Sequence, residues 1–396
     1  MEVYPKLSET FISYELYELQ KRNVDGLIIS FDNPQEQIKH SVHDKVHYPV
    51  LYLYKINILS LPKIVMVNVF LLMTTPGKYL KTLLWAGINY GYLFFLKCTP
   101  GIVEIQRKGC SLIYANFSQH TTAFSQIAYK MMNIPYVFTV RGYDLFENPY
   151  KFELKSRDAK YIIVNAKFTK KYILNKFPLV YSNKIIIIPG GINTSYFRKT
   201  KKSHGNIFTI SCVSRFVKKK GINYLIHACH RLKKQGILFH CYIGGYGPLE
   251  SELITLCNSF NLNNEITFLG PLSHPKVLKI LNNTDVFVLP SIISDSGDRD
   301  INPNILLEAM SCQNITVSTK VGGITEIIDD KINGFLVPPE SVKALADKFI
   351  EIFNMDRETK ITMGIKARKK IIKYFNITKS VSMIIKLLGD AYCSTQ

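Results

Sequence analysis

PSIISDSGDRDINPNILLEAMSC, residues 290–312, follows directly on the apolar run Val286–Leu289. Four apolar residues bounded by a polar loop read as a buried strand. The loop carries Asp295, Asp298 and Asp300, then Pro303, and the spacing predicts an amphipathic helix over Asn304–Ser311 with Glu308 inside it. Asp300 and Glu308 therefore stand eight residues apart, one just before a helix N-terminus and one about a turn into it. A strand end, a polar loop and a helix mouth form the ligand crevice of an α/β sheet. The helix mouth favours anions, and the two carboxylates can do acid–base work or accept hydroxyls. Together these features suit a sugar joined to a phosphate.

The same alternation extends outward in both directions. Strands are expected at Ile207–Val213, Leu238–Ile243, Ile266–Leu269 and Ile315–Ser318, with helices between them at Ile222–Lys234, Leu249–Phe260 and Pro275–Leu281. Upstream, short apolar runs at Gly26–Phe31, Ser111–Ala115, Tyr136–Val140, Tyr161–Val164 and Ile185–Ile188 are separated by helical stretches, and residues 50–100 read as helical. Alternating buried strands and helices predict parallel sheets covered on both faces. Pro189-Gly190-Gly191 closes the first series and the polar stretch Arg198–Asn206 reads as a linker. The expected organisation is an α/β chain of two domains, 1–198 and 199–377, with a last helix over 378–396 that returns to the first domain. A first helix is expected over Leu7–Leu19, with Ser8, Glu9 and Thr10 at its mouth as a capping box.

With 396 residues, 47% of them apolar, the chain has material for two cores. Fifty Lys and Arg against 30 Asp and Glu give a formal charge of +20, which favours anionic partners. The eight cysteines form no C-x-x-C pair, no metal site is expected, and no secretory signal opens the sequence. These features point to a cytoplasmic protein. The apolar stretches Ile64–Met73 and Leu83–Leu96 read as core or interfacial helices and not as membrane spans.

Several loop residues are candidates for chemistry. Arg215 and Lys220, in the turn after Ile207–Val213, can converge on a phosphate. Gly245 and Gly247, after the next strand, allow close approach of backbone to a ligand, although Glu250 stands where a dinucleotide fingerprint needs its third glycine. In the first domain Asn116, Arg141 and Asp144 close two strands. Arg141 and Asp144 fit an acceptor or phosphate contact, and equally a structural Arg–Asp pair.

Taken in order, YPKLSETF (4–11), SRFVKKKG (214–221), GGYGPL (244–249), FLGPLSH (268–274), PSIISDSGDRDINPNILLEAM (290–310) and VGGITEIIDDKINGFLVPP (321–339) resemble the family 4 retaining glycosyltransferases. Within that family the chain looks most like the exopolysaccharide-type enzymes of colanic acid and amylovoran synthesis. The resemblance implies the GT-B fold, two Rossmann-like doubly wound domains facing a central cleft. It implies that Arg215 and Lys220 hold a donor diphosphate, that Glu308 binds the ribose hydroxyls, and that Asp300 stands where the family has a sugar-contacting glutamate. Ile301, Asn302 and Asn304 would grip the sugar and phosphate, and Leu269, Gly270 and Leu272 would flank the base. Gly245 and Gly247 fall on the donor side; Ser8, Glu9, Thr10, Asn116, Arg141 and Asp144 fall on the acceptor side, with Arg141 and Asn116 replacing two histidines common in the family.

The implied activity is metal-independent, retaining transfer of a hexose, with no cofactor beyond the nucleotide-sugar donor and a UDP-sugar expected ahead of a GDP-sugar. The implied acceptor is a lipid-linked oligosaccharide in exopolysaccharide, O-antigen or capsule synthesis. The charge of +20 and the basic, aromatic stretch Tyr52–Lys97 fit peripheral docking on an anionic inner leaflet, with no nucleic-acid partner. Two other readings belong to different classes: a catalytically silent nucleotide-binding homologue, and a dinucleotide-dependent oxidoreductase, which lacks both a complete glycine fingerprint and an acid on the following strand.

Overall fold

A computed structural model describes residues 1–6, 9–34, 42–53, 61–200 and 207–393. The chain divides into two compact units. The first comprises 1–165, 170–188 and 381–396, and the second 166–169 and 189–380. Residues 201–206 of the expected linker lie outside the described residues.

The first unit opens with a helix over Thr10–Gln20. The expected capping box is not formed: Glu9 occupies the N-cap position without a side-chain cap bond, and its carboxylate instead pairs with Lys6 at 2.7 Å. Ser8 lies outside the described residues. Strands β1 (Ile28–Ser30) and β2 (Val50–Tyr52) form a parallel pair. The helical expectation for residues 50–100 thus fails at its start, where Val50, Leu51 and Tyr52 satisfy the edge of β1; pairing overrides local pattern there. Residues 54–60 lie outside the described residues, and from Leu61 the stretch is helical: Leu61–Thr74, Pro76–Tyr90 and Tyr92–Arg107. Strands β3 (Ile113–Asn116), β4 (Tyr136–Val140), β5 (Tyr161–Val164) and β6 (Ile185–Ile187) follow as a parallel sheet in chain order. The three helices turn Leu71, Tyr79, Ala86, Phe95 and Ile102 into one core with Phe124 and Ile127 of the helix His120–Met132. In the last helix, Ile377–Cys393, residues Ile384, Leu387 and Ala391 pack with Val137 and Ile163.

The second unit is a six-stranded parallel sheet: β7 (Phe208–Val213), β8 (Phe239–Gly244), β9 (Ile266–Phe268), β10 (Val286–Leu289), β11 (Ile315–Thr319) and β12 (Phe335–Val337). Its spatial order, β9-β8-β7-β10-β11-β12, is the 3-2-1-4-5-6 arrangement of a dinucleotide-binding sheet. Helices cover both faces. Strand period two sends Val286 and Val288 into one core with Leu225, Ile226 and Phe349, and Phe287 and Leu289 into the other with Leu306, Leu307 and Met310. The helices expected at Ile222–Lys234 and Asn304–Ser311 have those bounds. Strand β12, an edge strand of three residues, and the helices Val342–Asn354 and Arg357–Tyr374 complete the unit and were not anticipated. Among the described residues no helix is long and apolar enough to cross a membrane.

Phe287 is fully buried on β10, against the layer that carries Glu308. Phe287→Ala is expected to lower stability by about 3–5 kcal/mol through lost packing and a cavity. Urea denaturation followed by far-ultraviolet circular dichroism checks this, and an unchanged midpoint would contradict the assigned core.

Candidate functional site

Strand order reverses between β7 and β10, which are hydrogen-bonded neighbours although β8 and β9 lie on the far side of β7. The loops leaving these two strands flank the switch point where α/β sheets bind ligands. The sequence makes the loops fit one another. Gly221 has φ +59, and a Cβ there would stand 2.1 Å from the Pro290 carbonyl oxygen, so only glycine is accommodated. The Ile292 N–H donates to the Lys219 carbonyl at 2.8 Å.

Side chains continue the match. Lys218, Lys219 and Lys220, in a short 3-10 turn over Lys218–Lys220, pair in order with Asp295, Asp298 and Asp300. The outermost pair is exposed, whereas Lys219–Asp298 at 2.7 Å and Lys220–Asp300 at 2.7 Å are almost out of water. Lys220 Nζ donates to both Asp300 oxygens, at 2.7 and 2.8 Å, and Ser291 Oγ donates to Oδ2 at 2.5 Å. Burial works against both charges. For Asp300 the opposing pull of Lys220 and Lys219, with bonds from Lys220 and Ser291, outweighs it and holds the carboxyl below the usual carboxylate range. For Lys220 burial dominates and draws the ammonium pKa down, although Asp300 opposes it. Asp298 and Asp300 are thus each engaged by a lysine. The Asp300 carboxylate, expected to reach a hydroxyl, is occupied by Lys220 and Ser291 in this structure.

Arg215, on the same loop, is exposed and makes no ion pair among the described residues. Gly245 and Gly247 are required by the packing of their own loop. A Cβ on Gly245 (φ +129) would stand 1.8 Å from the Ser214 carbonyl oxygen, and one on Gly247 2.5 Å from that of Phe216. The glycines let the β8 loop lie on the backbone around Arg215, where Phe216 N donates to Tyr246 O at 2.8 Å. Gly270 accepts from Gly245 N at 2.8 Å, Leu269 N donates to Ile243 O at 2.9 Å, and Leu272 packs against Gly244. The three expected base-flanking residues therefore border the end of β8 and the start of its loop.

Pro303 caps the helix Asn304–Ser311, with buried Ile301 before it. Asn302 donates to the Gly190 carbonyl at 3.1 Å, while its own Oδ1 is buried without a partner. Glu308, on the second turn, is 9% exposed and its carboxyl makes no hydrogen bond among the described residues; burial pushes its pKa up to about 8. The helix is held from its other end by Arg368, whose guanidinium donates to Ser311 O at 2.6 Å, Phe197 O at 3.0 Å and Thr194 O at 3.2 Å. Ser291 and Arg368 were not foreseen: Ser291 lies inside the 290–310 stretch but a lone serine there carries no chemical signal, and Arg368 sits in no recognisable motif.

In the first unit the expected acceptor-side residues split into two groups. Arg141 donates to Glu15 at 3.1 Å and to Asn116 at 3.0 Å, and lies over the Phe11 ring; Tyr114 also donates to Glu15, at 2.7 Å. Asp144 is not the partner of the Arg141 guanidinium. Its carboxylate accepts the backbone N–H groups of Ser118, Arg141 and Gly142 at 2.8–3.0 Å and shapes the loop after β4. Glu15, the centre of the first group, was missed because it is distant in sequence from each partner. A cavity of about 930 Å³ in this unit is lined by Leu16, Leu19, Phe31, Tyr114, Asn116 and Phe124, among others. Thr10 begins the first helix and Glu9 precedes it, neither in contact with this group by any described hydrogen bond.

The fold defined by these two β/α units is GT-B. A crystal structure of a glycosyltransferase from Rickettsia africae matches 98% of this chain and 97% of its own length with a TM-score of 0.72 at 17% identity. Anabaena Alr3699/HepE in complex with UDP and glucose matches 98% of this chain and 99% of its own with a TM-score of 0.71, also at 17% identity. At that identity both speak for the fold alone. Residues 193–374 match the family model Glycosyl transferases group 1, so the second unit carries a group 1 glycosyl transferase domain. The chain is 34% identical over 194 residues to the putative colanic acid biosynthesis glycosyltransferase WcaL of Salmonella typhimurium, covering 49% of this chain and 48% of that one. It is 31% identical over 196 residues to the amylovoran biosynthesis glycosyltransferase AmsK of Erwinia amylovora, covering 49% and 48%. The matches span about half the length of these curated relatives.

Because folding raises the Glu308 pKa from its ordinary 4.5 to about 8, its contribution to stability is complete below pH 4.5 and lost as pH rises through about 8. Glu308→Gln, which keeps the neutral shape, is expected to flatten the fall in melting temperature across that window. Parallel melting curves for the two proteins that stay superimposable in slope would refute the buried, unpartnered state of this carboxyl.

Proposed function

We propose that the protein is a retaining, metal-independent glycosyltransferase that moves a hexose from a nucleotide diphosphate sugar to a lipid-linked oligosaccharide in exopolysaccharide synthesis. The observation that carries this reading is the switch-point crevice. What supports it is that Arg215, without an ion pair among the described residues, and the buried Lys220 share the loop after β7, while the buried Glu308 stands on the helix that follows the facing loop of β10. Cations suit a diphosphate, and a carboxylate suits the paired hydroxyls of a ribose. The names of the colanic acid and amylovoran relatives support the polymer class, and a UDP-sugar ahead of a GDP-sugar is carried over from the sequence resemblance. The proposed setting is cytoplasmic, peripheral on an anionic inner leaflet.

Arg215 and Lys220 hold the diphosphate, assisted by the N-terminus of the helix at Asn304. When Lys220 turns to the phosphate, Asp300 is released to accept sugar hydroxyls. Ile301 and Asn302 border that position, and Leu269, Gly270 and Leu272 flank the base. The bond from the anomeric carbon to the phosphate oxygen breaks as the acceptor oxygen bonds the same face. The acceptor proton passes to the leaving phosphate, whose growing charge the two cations stabilise. The cluster of Glu15, Asn116 and Arg141 orients acceptor hydroxyls in the first unit. The engagement of Arg141 by Glu15 also favours a second reading, a nucleotide-binding homologue without turnover, which release of UDP from a UDP-sugar by purified protein would exclude.

The Arg215 side chain makes no ion pair among the described residues, so Arg215→Ala should leave the melting temperature in place while costing about 2–4 kcal/mol of transition-state stabilisation. Lys220→Ala should lose activity similarly and also destabilise, because it strands Asp300 in the interior. UDP release assayed beside thermal melts checks both, and full turnover by Arg215→Ala would sink the assignment. Ribose hydroxyls donating to Glu308 favour its ionised form, so UDP affinity should rise with pH toward about 8 more steeply in the wild type than in Glu308→Gln. Calorimetry showing the same pH slope in both would remove Glu308 from the nucleotide site.

A further inference from the structure

The helix Leu61–Thr74 is apolar almost all round, yet it buries only one face, Ile64, Asn68 and Leu71. Its other sides leave Met66, Phe70 and Met73 exposed by 67%, 52% and 79%. One residue, Thr75, separates it from the helix Pro76–Tyr90, which buries Tyr79, Thr82 and Ala86 and exposes Leu84 and Ile88 by 58% and 79%. Leu93, at the start of Tyr92–Arg107, is exposed by 70%. Of the 30 large apolar residues exposed among those described, 12 fall between residues 61 and 93. The three helices share one core on their inner sides, and the exposed apolar residues lie on their remaining sides. A water-facing helix surface of this composition is unexplained by the fold, since core-forming helices keep a polar outer face.

Charge identifies what covers it. Residues 45–103 contain six lysines and no aspartate or glutamate. Lys63, Lys78 and Lys81 are exposed on the same two helices. An apolar face bordered by these cations, with Glu104 near Lys63 and engaged by Arg107, matches the interface of an acidic bilayer, into which such helices sink in plane. Neither helix is long enough to span, at 14 and 15 residues. We propose that Leu61–Thr74 and Pro76–Tyr90 insert their outer face into an anionic lipid bilayer. This rests on the membrane part of the proposed function and deepens it: the contact is insertion of these two helices, with lysines at the headgroups, and extends beyond charge attraction of the basic stretch as a whole.

The test uses the full chain and vesicles of phosphatidylglycerol with phosphatidylcholine, against pure phosphatidylcholine. Wild-type protein is expected to co-float with the acidic vesicles, and Met73→Asp combined with Ile88→Asp to lose at least tenfold in bound fraction. Lys78→Glu with Lys81→Glu should weaken flotation more at low than at high salt. Trp85, the only tryptophan, lies on the second helix, so brominated acyl chains should quench its emission in the wild type and not in the aspartate variant. Circular dichroism verifies that the variants fold. No flotation of the wild type, or equal flotation of the aspartate variant, overturns the proposal; so does a dimer that the aspartates dissociate without any lipid effect, which would make the face a contact between copies. A protein that floats but releases no UDP keeps the insertion and loses the transfer reading, whereas one that releases UDP and never floats does the reverse.

Discussion

The ion-pair ladder between Lys218-Lys219-Lys220 and Asp295, Asp298 and Asp300 is the constraint on which the second unit's crevice depends. Three adjacent lysines on one short turn repel one another, and two of them have little access to water. Without counter-charges the turn would open. The aspartates supply those charges from the neighbouring strand's loop, so a single set of contacts both neutralises the lysines and fixes the spacing of the two loops. Buried ion pairs add little net stability because desolvation offsets their attraction, but removing one partner costs about 3–5 kcal/mol. Such pairs specify an arrangement more than they strengthen it. Here the arrangement is seconded by backbone: the Ile292–Lys219 hydrogen bond and the close approach at Gly221 link the same two loops.

Much of the second unit was legible because its signals are local. The apolar face of Ile222–Lys234 repeats at helical spacing, and Val286–Leu289 is bounded by polar residues on both sides. The ladder was not legible. Its partners are 77 to 80 residues apart, and a run of three lysines looks the same in sequence whether it is solvated or paired. The same distance in sequence hid Glu15, which meets Tyr114 and Arg141 across 99 and 126 residues. The Arg–Asp pairing expected from Arg141 and Asp144 fails for a related reason. Three residues apart in a tight loop, the shorter carboxylate is better placed to cap backbone N–H groups, which leaves the longer arginine to reach a different element.

The two units expose different chemistry. In the second, charge is concentrated and paired on the loops leaving the two central strands β7 and β10; in the first, the helices between 61 and 93 carry basic and apolar residues on sides that gain nothing from water. Composition alone averages these into a globular chain of charge +20 and conceals the contrast. Only the separation of buried from exposed positions on each helix shows that the apolar content of residues 61–93 exceeds what one core can absorb.

On the proposed function, the ladder also bears on which ligand the crevice prefers. A free diphosphate that draws Lys220 away leaves Asp300 buried, ionised and served only by Ser291 and Lys219, a costly state. A diphosphate joined to a sugar brings hydroxyls to that same carboxylate and replaces the donors that Lys220 withdraws. The exchange conserves charge pairing on the phosphate side and hydrogen bonding on the aspartate side. A nucleotide without its sugar achieves only the first half. Both Asp300 oxygens lie within 2.8 Å of Lys220 Nζ, the contact that this exchange would replace. Discrimination between intact donor and spent nucleotide thus follows from one lysine having two possible partners.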